Sequence, residues 1–148
     1  MRCLVPALVA LLPLALHAED SPRRDVWAVV IGVSSYDRLP ASQQLRFAHR
    51  DAVAFAEFLR SDAGGLVPAD HIRLLVSPGP GEGLPEGAGA ATKEAVGDAI
   101  ADTLSAAGAT ETVILFYSGH GASEGDNAYF LFQDSNPARY YTSAWHME

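Results

Sequence analysis

The chain has little cysteine, little lysine and no long uninterrupted apolar run, and each scarcity excludes a class of protein or partner. Cys3 is the one cysteine and Lys93 the one lysine among 148 residues. A single cysteine cannot build a disulfide framework or a cysteine-based metal site. Ten basic residues face 18 acidic ones, for a net charge of −8, and no basic cluster is present. Nucleic acid is therefore not an expected partner, and the acidity favours solubility.

The first 18 residues have the pattern of a secretory signal peptide. Arg2 precedes an apolar stretch, Leu4–Leu16, and Ala18 stands before an acidic boundary. The stretch is shorter than the roughly 20 residues that cross a bilayer. We therefore predict cleavage near Ala18 and export to the periplasm or the extracellular space, with no transmembrane segment left after cleavage. The alternative is an apolar N-terminal helix. Since Cys3 lies in this segment, the mature chain would have no thiol.

After a short N-terminal segment at residues 19–25, apolar runs alternate with amphipathic spacings. Three aliphatic runs predict buried strands at 26–33, 71–76 and 112–118. Two apolar stripes predict helices between them: one through Leu45, Ala48, Ala52, Phe55 and Leu59 with a stop at Gly64-Gly65, and one through Val96, Ile100, Leu104 and Ala107 after an N-cap at Thr92. This order predicts an α/β fold, a mostly parallel sheet flanked by helices and joined by right-handed crossovers, in one domain over residues 26–148.

Three further segments are less regular. Residues 77–91 are rich in glycine and proline and predict a flexible connection, and residues 129–132 predict a short strand or hairpin arm. Residues 134–141 predict a loop, after which Thr142 or Ser143 could cap another helix.

The strand at 112–118 has the composition of a fully buried parallel strand, and Ser118-Gly119-His120-Gly121 follows it. In open α/β sheets, ligands bind at the carboxyl ends of strands. An imidazole there can accept and return a proton near neutral pH, and the flanking glycines leave it accessible. The N–H group of Gly121 could face a developing oxyanion. The structural alternative is a loop histidine that bonds a nearby carbonyl group.

Three segments in order, Trp27–Val33, Leu45–Ala52 and Val113–Gly121, resemble the caspase-like cysteine peptidases, and most of all the large-subunit (p20) domain of the bacterial metacaspase branch. The resemblance covers residues 26–148 and implies a three-layer α/β sandwich. It implies peptide-bond hydrolysis by a Cys–His dyad, with His120 as the general acid/base and Gly121 in the oxyanion hole. Ser118 and Gly119 support the motif. A peptide or protein would be the substrate.

The nucleophile that the resemblance requires is absent from this chain. In caspases the histidine precedes the cysteine by about 50 residues, whereas 28 residues follow His120 in this 148-residue sequence. We therefore expect a fragment that ends before the nucleophile strand. Such a fragment would leave one sheet edge open, and we expect residues 19–148 alone to be inactive, and to be poorly soluble or to need a partner.

The resemblance also bears on specificity. Caspases that cut after aspartate have a pocket arginine where this chain has Leu45, so the metacaspase likeness favours cleavage after arginine or lysine. Asp51 matches the Asp-Ala pair of the family; we interpret it mainly as a helix cap, with a substrate-side role as the alternative. Glu124, Asp126 and Asp134 match no calcium loop and predict a solvated surface. No metal ion or cofactor is expected.

Two other function classes stay open at this point. One is a non-catalytic caspase-like module that binds peptides or partners, and the other is a doubly wound domain that binds a small anion. A serine hydrolase is disfavoured because Ser118 does not stand in a Gly-x-Ser-x-Gly elbow. His49, His71 and His146 show no metal-ligand spacing.

Overall fold

The main sheet has four parallel strands in the order β3-β2-β1-β4, in a computed structural model that describes residues 22–147. Its strands are β1 (Val26–Val33), β2 (Ile72–Ser77), β3 (Gly89–Ala90) and β4 (Thr112–Ser118), and its helices are α1 (Ala48–Arg60) and α2 (Lys93–Ala106). The predicted signal peptide, residues 1–18, lies outside the described residues. None of the helices between residues 22 and 147 is long and apolar enough to cross a membrane.

A second, antiparallel sheet follows β4, in the order β5-β6-β7. Its strands are β5 (Gly121–Glu124), β6 (Asn127–Phe130) and β7 (Trp145–Met147), and the one-turn helix α3 (Tyr140–Ser143) precedes β7. The predicted hairpin arm at 129–132 is thus β6, two residues earlier. Thr142 and Ser143 lie inside α3 instead of capping a helix, because the chain returns at once to pair with β6.

The central strand β1 explains the layers. It pairs with β2 on one side and with β4 on the other. Alternate side chains point to opposite faces: Ala28 and Val30 pack with Ala52 and Leu59 of α1, and Ile31 packs with the α2 side of the sheet. Burial on both faces is why β1 is a continuous apolar run. The predicted α/β fold, a parallel sheet flanked by helices, is confirmed.

Helix α1 packs unusually close to β1. A Cβ atom on Gly32 would lie 2.5 Å from the carbonyl oxygen of Ala48 and 2.6 Å from Cβ of Ala52. Only glycine allows this approach. The helix starts at Ala48, three residues after Leu45, and ends at Arg60; the predicted glycine stop instead belongs to the following turn, where Gly65 has φ 90°.

Helix α2 begins as predicted, because the Thr92 side chain accepts a hydrogen bond from the Ala95 N–H group. Its buried stripe differs from the prediction. Val96 and Thr103 are buried, whereas Leu104 is 60% exposed. Successive helical residues are rotated by about 100°, so Thr103 lies close to the direction of Val96 and Leu104 lies roughly 80° away from it.

Strand β4 is not fully buried, contrary to its composition. Val113 and Leu115 are 37% and 56% exposed. Both side chains lie on the face of the sheet where Val29 packs, and α2 covers this face over β1 and β2 more than over β4. In addition, β4 pairs with β1 along one edge, and within residues 22–147 no strand covers the other edge. An open apolar edge of this kind favours pairing with another strand.

Candidate active site

His120 lies in the turn that joins the two sheets. Strand β4 ends at Ser118 and β5 begins at Gly121, so Gly119 and His120 form the connection at the carboxyl edge of the main sheet. This is the edge where parallel α/β sheets place ligands. The predicted position of His120 relative to the sheet agrees with the structure.

The His120 ring is held by a main-chain carbonyl group. Its Nε2 atom lies 2.7 Å from the carbonyl oxygen of Gln43. A carbonyl oxygen only accepts hydrogen bonds, so Nε2 carries the hydrogen. In the neutral ring Nδ1 is then unprotonated and able to take a proton. The carbonyl contact expected of a structural histidine is thus present, and the same contact sets the tautomer that a general base needs.

The Gln44 side chain fixes the segment that carries Gln43. Gln43 ends a short 3-10 turn, Ala41–Gln43. The Gln44 amide oxygen accepts from the Tyr36 N–H group at 2.7 Å, and its nitrogen donates to the carbonyl oxygens of Tyr36 and Leu39 at 3.0 and 2.8 Å. Three hydrogen bonds from one side chain therefore close the loop after β1.

Two phenol groups hold the His120 main chain. The His120 N–H group donates to the Tyr36 hydroxyl at 2.7 Å, and the Tyr117 hydroxyl donates to the His120 carbonyl oxygen at 2.8 Å, with Leu131 O as a second acceptor at 2.6 Å. Burial raises the pKa of both tyrosines above the ordinary value, so both stay protonated. The Tyr36 ring also packs against the His120 ring, with centroids 5.1 Å apart.

The space beside these hydroxyls requires glycine at position 119. A Cβ atom on Gly119 would lie 2.5 Å from the Tyr117 hydroxyl oxygen and 3.0 Å from that of Tyr36. Gly119 therefore supports the motif by letting the main chain approach two phenols closely.

The Gly121 N–H group points away from β6. Gly121 lies opposite Phe130, and the Leu131 N–H group donates to the His120 carbonyl oxygen at 3.0 Å. Because hydrogen-bonded and non-hydrogen-bonded pairs alternate along an antiparallel ladder, Gly121 and Phe130 form a non-hydrogen-bonded pair. The amide is thus directed outward from the hairpin, beside His120.

A cavity of about 290 Å³ opens at this place. His120, Gly121 and Gln43 line it together with apolar side chains, those of Leu39, Ala122, Leu131 and Tyr140. It is large enough for a side chain or a short peptide segment.

Asp51 lies close to the same edge. The Ser118 hydroxyl donates to its carboxylate at 3.1 Å. The prediction that Asp51 caps α1 is wrong: the N-cap residue is Phe47, which makes no side-chain cap bond, and Asp51 stands three residues inside the helix, where its carboxylate faces β4. The exposed carboxylate remains in the first turn, where the helix dipole favours it.

A second cavity, of about 430 Å³, lies on the far side of the 41–46 segment. Leu45, Arg46, Phe47 and Arg50 contribute to its wall. Both arginine side chains lie over the Phe47 ring, at 5.6 and 5.8 Å from its centroid.

A buried hydrogen-bond network at β1 was not predicted. His49 Nδ1 lies 2.7 Å from the Ser34 hydroxyl, and His49 Nε2 lies 2.9 Å from the Glu82 carboxylate, which also accepts from Arg50 at 2.9 Å. The order Ser–His–Glu resembles a hydrolase triad, but Ser34 is 0% exposed and accepts the His49 N–H group, so no substrate reaches it. The bonds from His49 and Arg50 hold the pKa of Glu82 below its usual range.

Three other titratable residues singled out in the sequence make structural contacts. His71 stacks on Trp27 with centroids 3.8 Å apart, and His146 bonds Asn127 at 2.9 Å. Asp134 is not merely solvated, because its carboxylate accepts the Lys93 N–H group at 2.9 Å and so covers the start of α2. Within residues 22–147 no group of three or more potential ligands could hold a metal ion.

Comparisons with known proteins identify the family. The sequence profile of the caspase domain family, peptidase family C14, matches residues 25–143. A probable protease of a Desulfuromonadales bacterium is 37% identical over 98 residues, which make up 64% of this chain and 12% of that protein. The match thus spans about an eighth of the relative's length. Since the profile covers most of the chain, from β1 through the turn around His120, the protein belongs to the caspase domain family of peptidases.

Proposed function

We propose that the protein is a cysteine-type endopeptidase in which His120 is the general acid/base. The observation that supports this most is the 2.7 Å contact between His120 Nε2 and the Gln43 carbonyl oxygen, because it leaves Nδ1 able to take a proton. Residues 22–148 contain no cysteine. The nucleophile of the proposed dyad is therefore a cysteine in a part of the protein outside these residues, next to β4.

The proposed reaction follows from these groups. His120 Nδ1 takes the thiol proton, and the thiolate sulfur attacks the carbonyl carbon of the scissile bond. The Gly121 N–H group donates to the oxyanion. The imidazolium returns its proton to the leaving amine as the carbon–nitrogen bond breaks, which gives a thioester. Nδ1 then takes a proton from water, and the resulting hydroxide hydrolyses the thioester and releases the thiol.

The Gln43 carbonyl would act in both thioester formation and thioester hydrolysis. When His120 is an imidazolium ion, both ring nitrogens carry hydrogen, and the carbonyl oxygen accepts a charge-assisted bond from Nε2. The cation is thereby stabilised without an acidic side chain. The dyad thus has a fixed third partner, which the sequence reasoning did not include.

Cleavage after arginine or lysine belongs to the same proposal. Leu45 lines the larger cavity at the place of the pocket arginine of aspartate-specific caspases, and the exposed Asp51 carboxylate lies 3.1 Å from Ser118 at the edge beside His120. A carboxylate there attracts a basic side chain and repels an acidic one. Export through the signal peptide at residues 1–18 would place this activity outside the cytoplasm.

The test uses the full-length protein and fluorogenic peptides that end in arginine, lysine or aspartate. We expect turnover of the basic peptides and labelling of one cysteine by an arginine chloromethyl ketone, located by mass spectrometry. His120→Ala should lower kcat at least 100-fold. His71→Phe is the matched control, because it removes a histidine far from the site and keeps an aromatic ring on Trp27.

Two results would contradict the proposal. Turnover that survives His120→Ala would assign the chemistry to other groups. A wild-type protein that neither cleaves any of the peptides nor is labelled, while it still binds them, would be the non-catalytic peptide-binding module instead.

A further inference from the structure

We propose that Tyr36 is a positioning residue for His120, acting together with Tyr117; the inference rests on the peptidase function proposed above. Both main-chain polar groups of His120 are fixed by phenol hydroxyls, the N–H group by Tyr36 at 2.7 Å and the carbonyl oxygen by Tyr117 at 2.8 Å. Neither tyrosine is the base; each would act through His120.

Tyr36 controls the His120 ring as well as the main chain. In the loop after β1, contacts connect Tyr36, Gln43 and Gln44 with His120 in a ring. The Tyr36 hydroxyl accepts from His120 N–H, His120 Nε2 bonds the Gln43 carbonyl, and the adjacent Gln44 side chain bonds the main chain of Tyr36 on both its N–H and C=O groups. Because of these hydrogen bonds, a displacement of one of these residues displaces the residue bonded to it. The Tyr36 ring closes the remaining side by packing on the imidazole.

The hydroxyl group of Tyr36 is explained by the positioning of His120 and not by packing. The side chain is 3% exposed, and a phenylalanine would fill the same apolar space. A buried hydroxyl is costly unless it is hydrogen-bonded, and here it accepts from the His120 N–H group. Removing it leaves the His120 N–H group without its acceptor. The turn is then free to shift, and the ring loses its fixed distance to Gln43.

Full-length Tyr36→Phe tests the inference, with Tyr129→Phe as the matched control. Tyr129 is also buried and stacks on Tyr140 at 6.1 Å, but it does not itself line the cavity around His120 and does not hydrogen-bond the His120 main chain. We expect Tyr36→Phe to lower kcat about 10- to 100-fold and to change KM less than threefold, because a misplacement of about 1 Å costs up to 100-fold in rate while ground-state binding is untouched. Tyr129→Phe should keep both constants.

A second readout does not depend on turnover. In protein labelled with ¹⁵N-histidine, the His120 signals, assigned by their loss in His120→Ala, report the tautomer. We expect one tautomer with Nε2–H in the wild type and in Tyr129→Phe, and a mixture of tautomers in Tyr36→Phe. Tyr117→Phe removes the other hydroxyl and should also give a mixture, so the test survives if Tyr36→Phe does not fold.

The outcomes separate the two proposals. A single Nε2–H tautomer in both tyrosine variants, or kcat within twofold of the wild type in both, would overturn the positioning role. A wild-type protein without peptidase turnover would overturn the proposed function alone, while mixed tautomers in the variants would still support the control of His120 by Tyr36.

Discussion

The carboxylate of Asp51 accepts a hydrogen bond from the Ser118 hydroxyl at 3.1 Å, and this bond joins the first turn of α1 to the end of β4. The carboxylate of Asp51 therefore lies beside Ser118, two residues before His120, along the edge where the substrate would bind. The bond orients the carboxylate but does not neutralise it, because a hydroxyl carries no charge.

Asp51→Asn should reduce the preference for basic peptides. Asparagine keeps an oxygen that can accept from Ser118, so the fold should be retained, while the charge that attracts arginine or lysine is lost. We expect the ratio of kcat/KM for arginine over aspartate peptides to fall at least tenfold.

Glu57→Gln is the control for this experiment. It removes one negative charge from the exposed surface of the same helix, six residues further on, and should leave the ratio unchanged. An equal fall in both variants would point to the overall charge of the protein, and no fall in Asp51→Asn would exclude Asp51 as a substrate contact.

The close approach of α1 to β1 gives a prediction for stability. Gly32→Ala places a methyl group 2.5 Å from the Ala48 carbonyl oxygen and 2.8 Å from Cα of His49, both main-chain atoms that cannot turn aside. Overpacking of this kind costs about 1–3 kcal/mol in free energy of unfolding, and a rigid main-chain obstacle favours the upper end. Urea unfolding of the full-length protein measures it.

A glycine-to-alanine substitution in α2, in contrast, should stabilise the protein. Gly97 stands inside α2, and an added Cβ atom would meet only Trp145 at 3.7 Å, an ordinary contact. Glycine in a helix interior costs about 0.5–1 kcal/mol relative to alanine, so Gly97→Ala should raise the free energy of unfolding by about that amount. If the two variants unfold at the same urea concentration, the packing of α1 on β1 is not as described.

The link between Glu82 and α1 gives a prediction about pH. Hydrogen bonds from His49 and Arg50 lower the pKa of Glu82, so the folded state favours its ionised form. Such a group stabilises the fold at pH values above its unfolded pKa, and the stabilisation is lost as the pH falls through the lowered pKa. Residues 78–88 should therefore loosen below the usual glutamate range of about pH 4.

Hydrogen exchange, corrected for the intrinsic effect of pH on the rate, measures this loosening. Glu82→Gln should raise exchange in residues 78–88 already at neutral pH and remove its pH dependence there. Glu86→Gln changes an exposed glutamate of the same segment and should behave like the wild type. A segment whose protection in the wild type does not change between pH 6 and pH 3 would contradict the role of Glu82.

What the sequence predicted and what it missed differ for physical reasons. Strand β1 was predicted at its observed bounds because it is buried on both faces, and burial dictates an apolar residue at nearly every position. The predicted full burial of β4 was wrong because composition says nothing about whether a helix or a further strand covers the strand. Composition reports what a strand can bury, whereas exposure depends on the neighbours.

The residues of the site also divide into those that the sequence predicted and those that it missed. His120 and Gly121 were predicted from a local motif of adjacent residues. The Gln43 carbonyl was missed because every residue has a carbonyl group, so no side-chain pattern marks it. Tyr36 is 84 residues from His120 in sequence, and a single chain gives no sign of such a pairing. The one available signal was Gly119, since a glycine between a strand and the predicted site histidine indicates that something packs closely against the main chain.

Gly119→Ala should destabilise the protein where Gly121→Ala does not. At position 119 the new Cβ atom would lie 2.5 Å from the Tyr117 hydroxyl and 2.7 Å from its ring carbon, so removing the hydroxyl alone would not make room. At position 121 the nearest atoms are 3.6 and 3.8 Å away. We expect Gly119→Ala to lower the free energy of unfolding, measured in urea, by about 1–3 kcal/mol. Adding Tyr117→Phe to this variant should not restore the lost stability, and Gly121→Ala should unfold like the wild type. Equal stability of the two alanine variants would show that the phenols do not pack against the turn that carries His120.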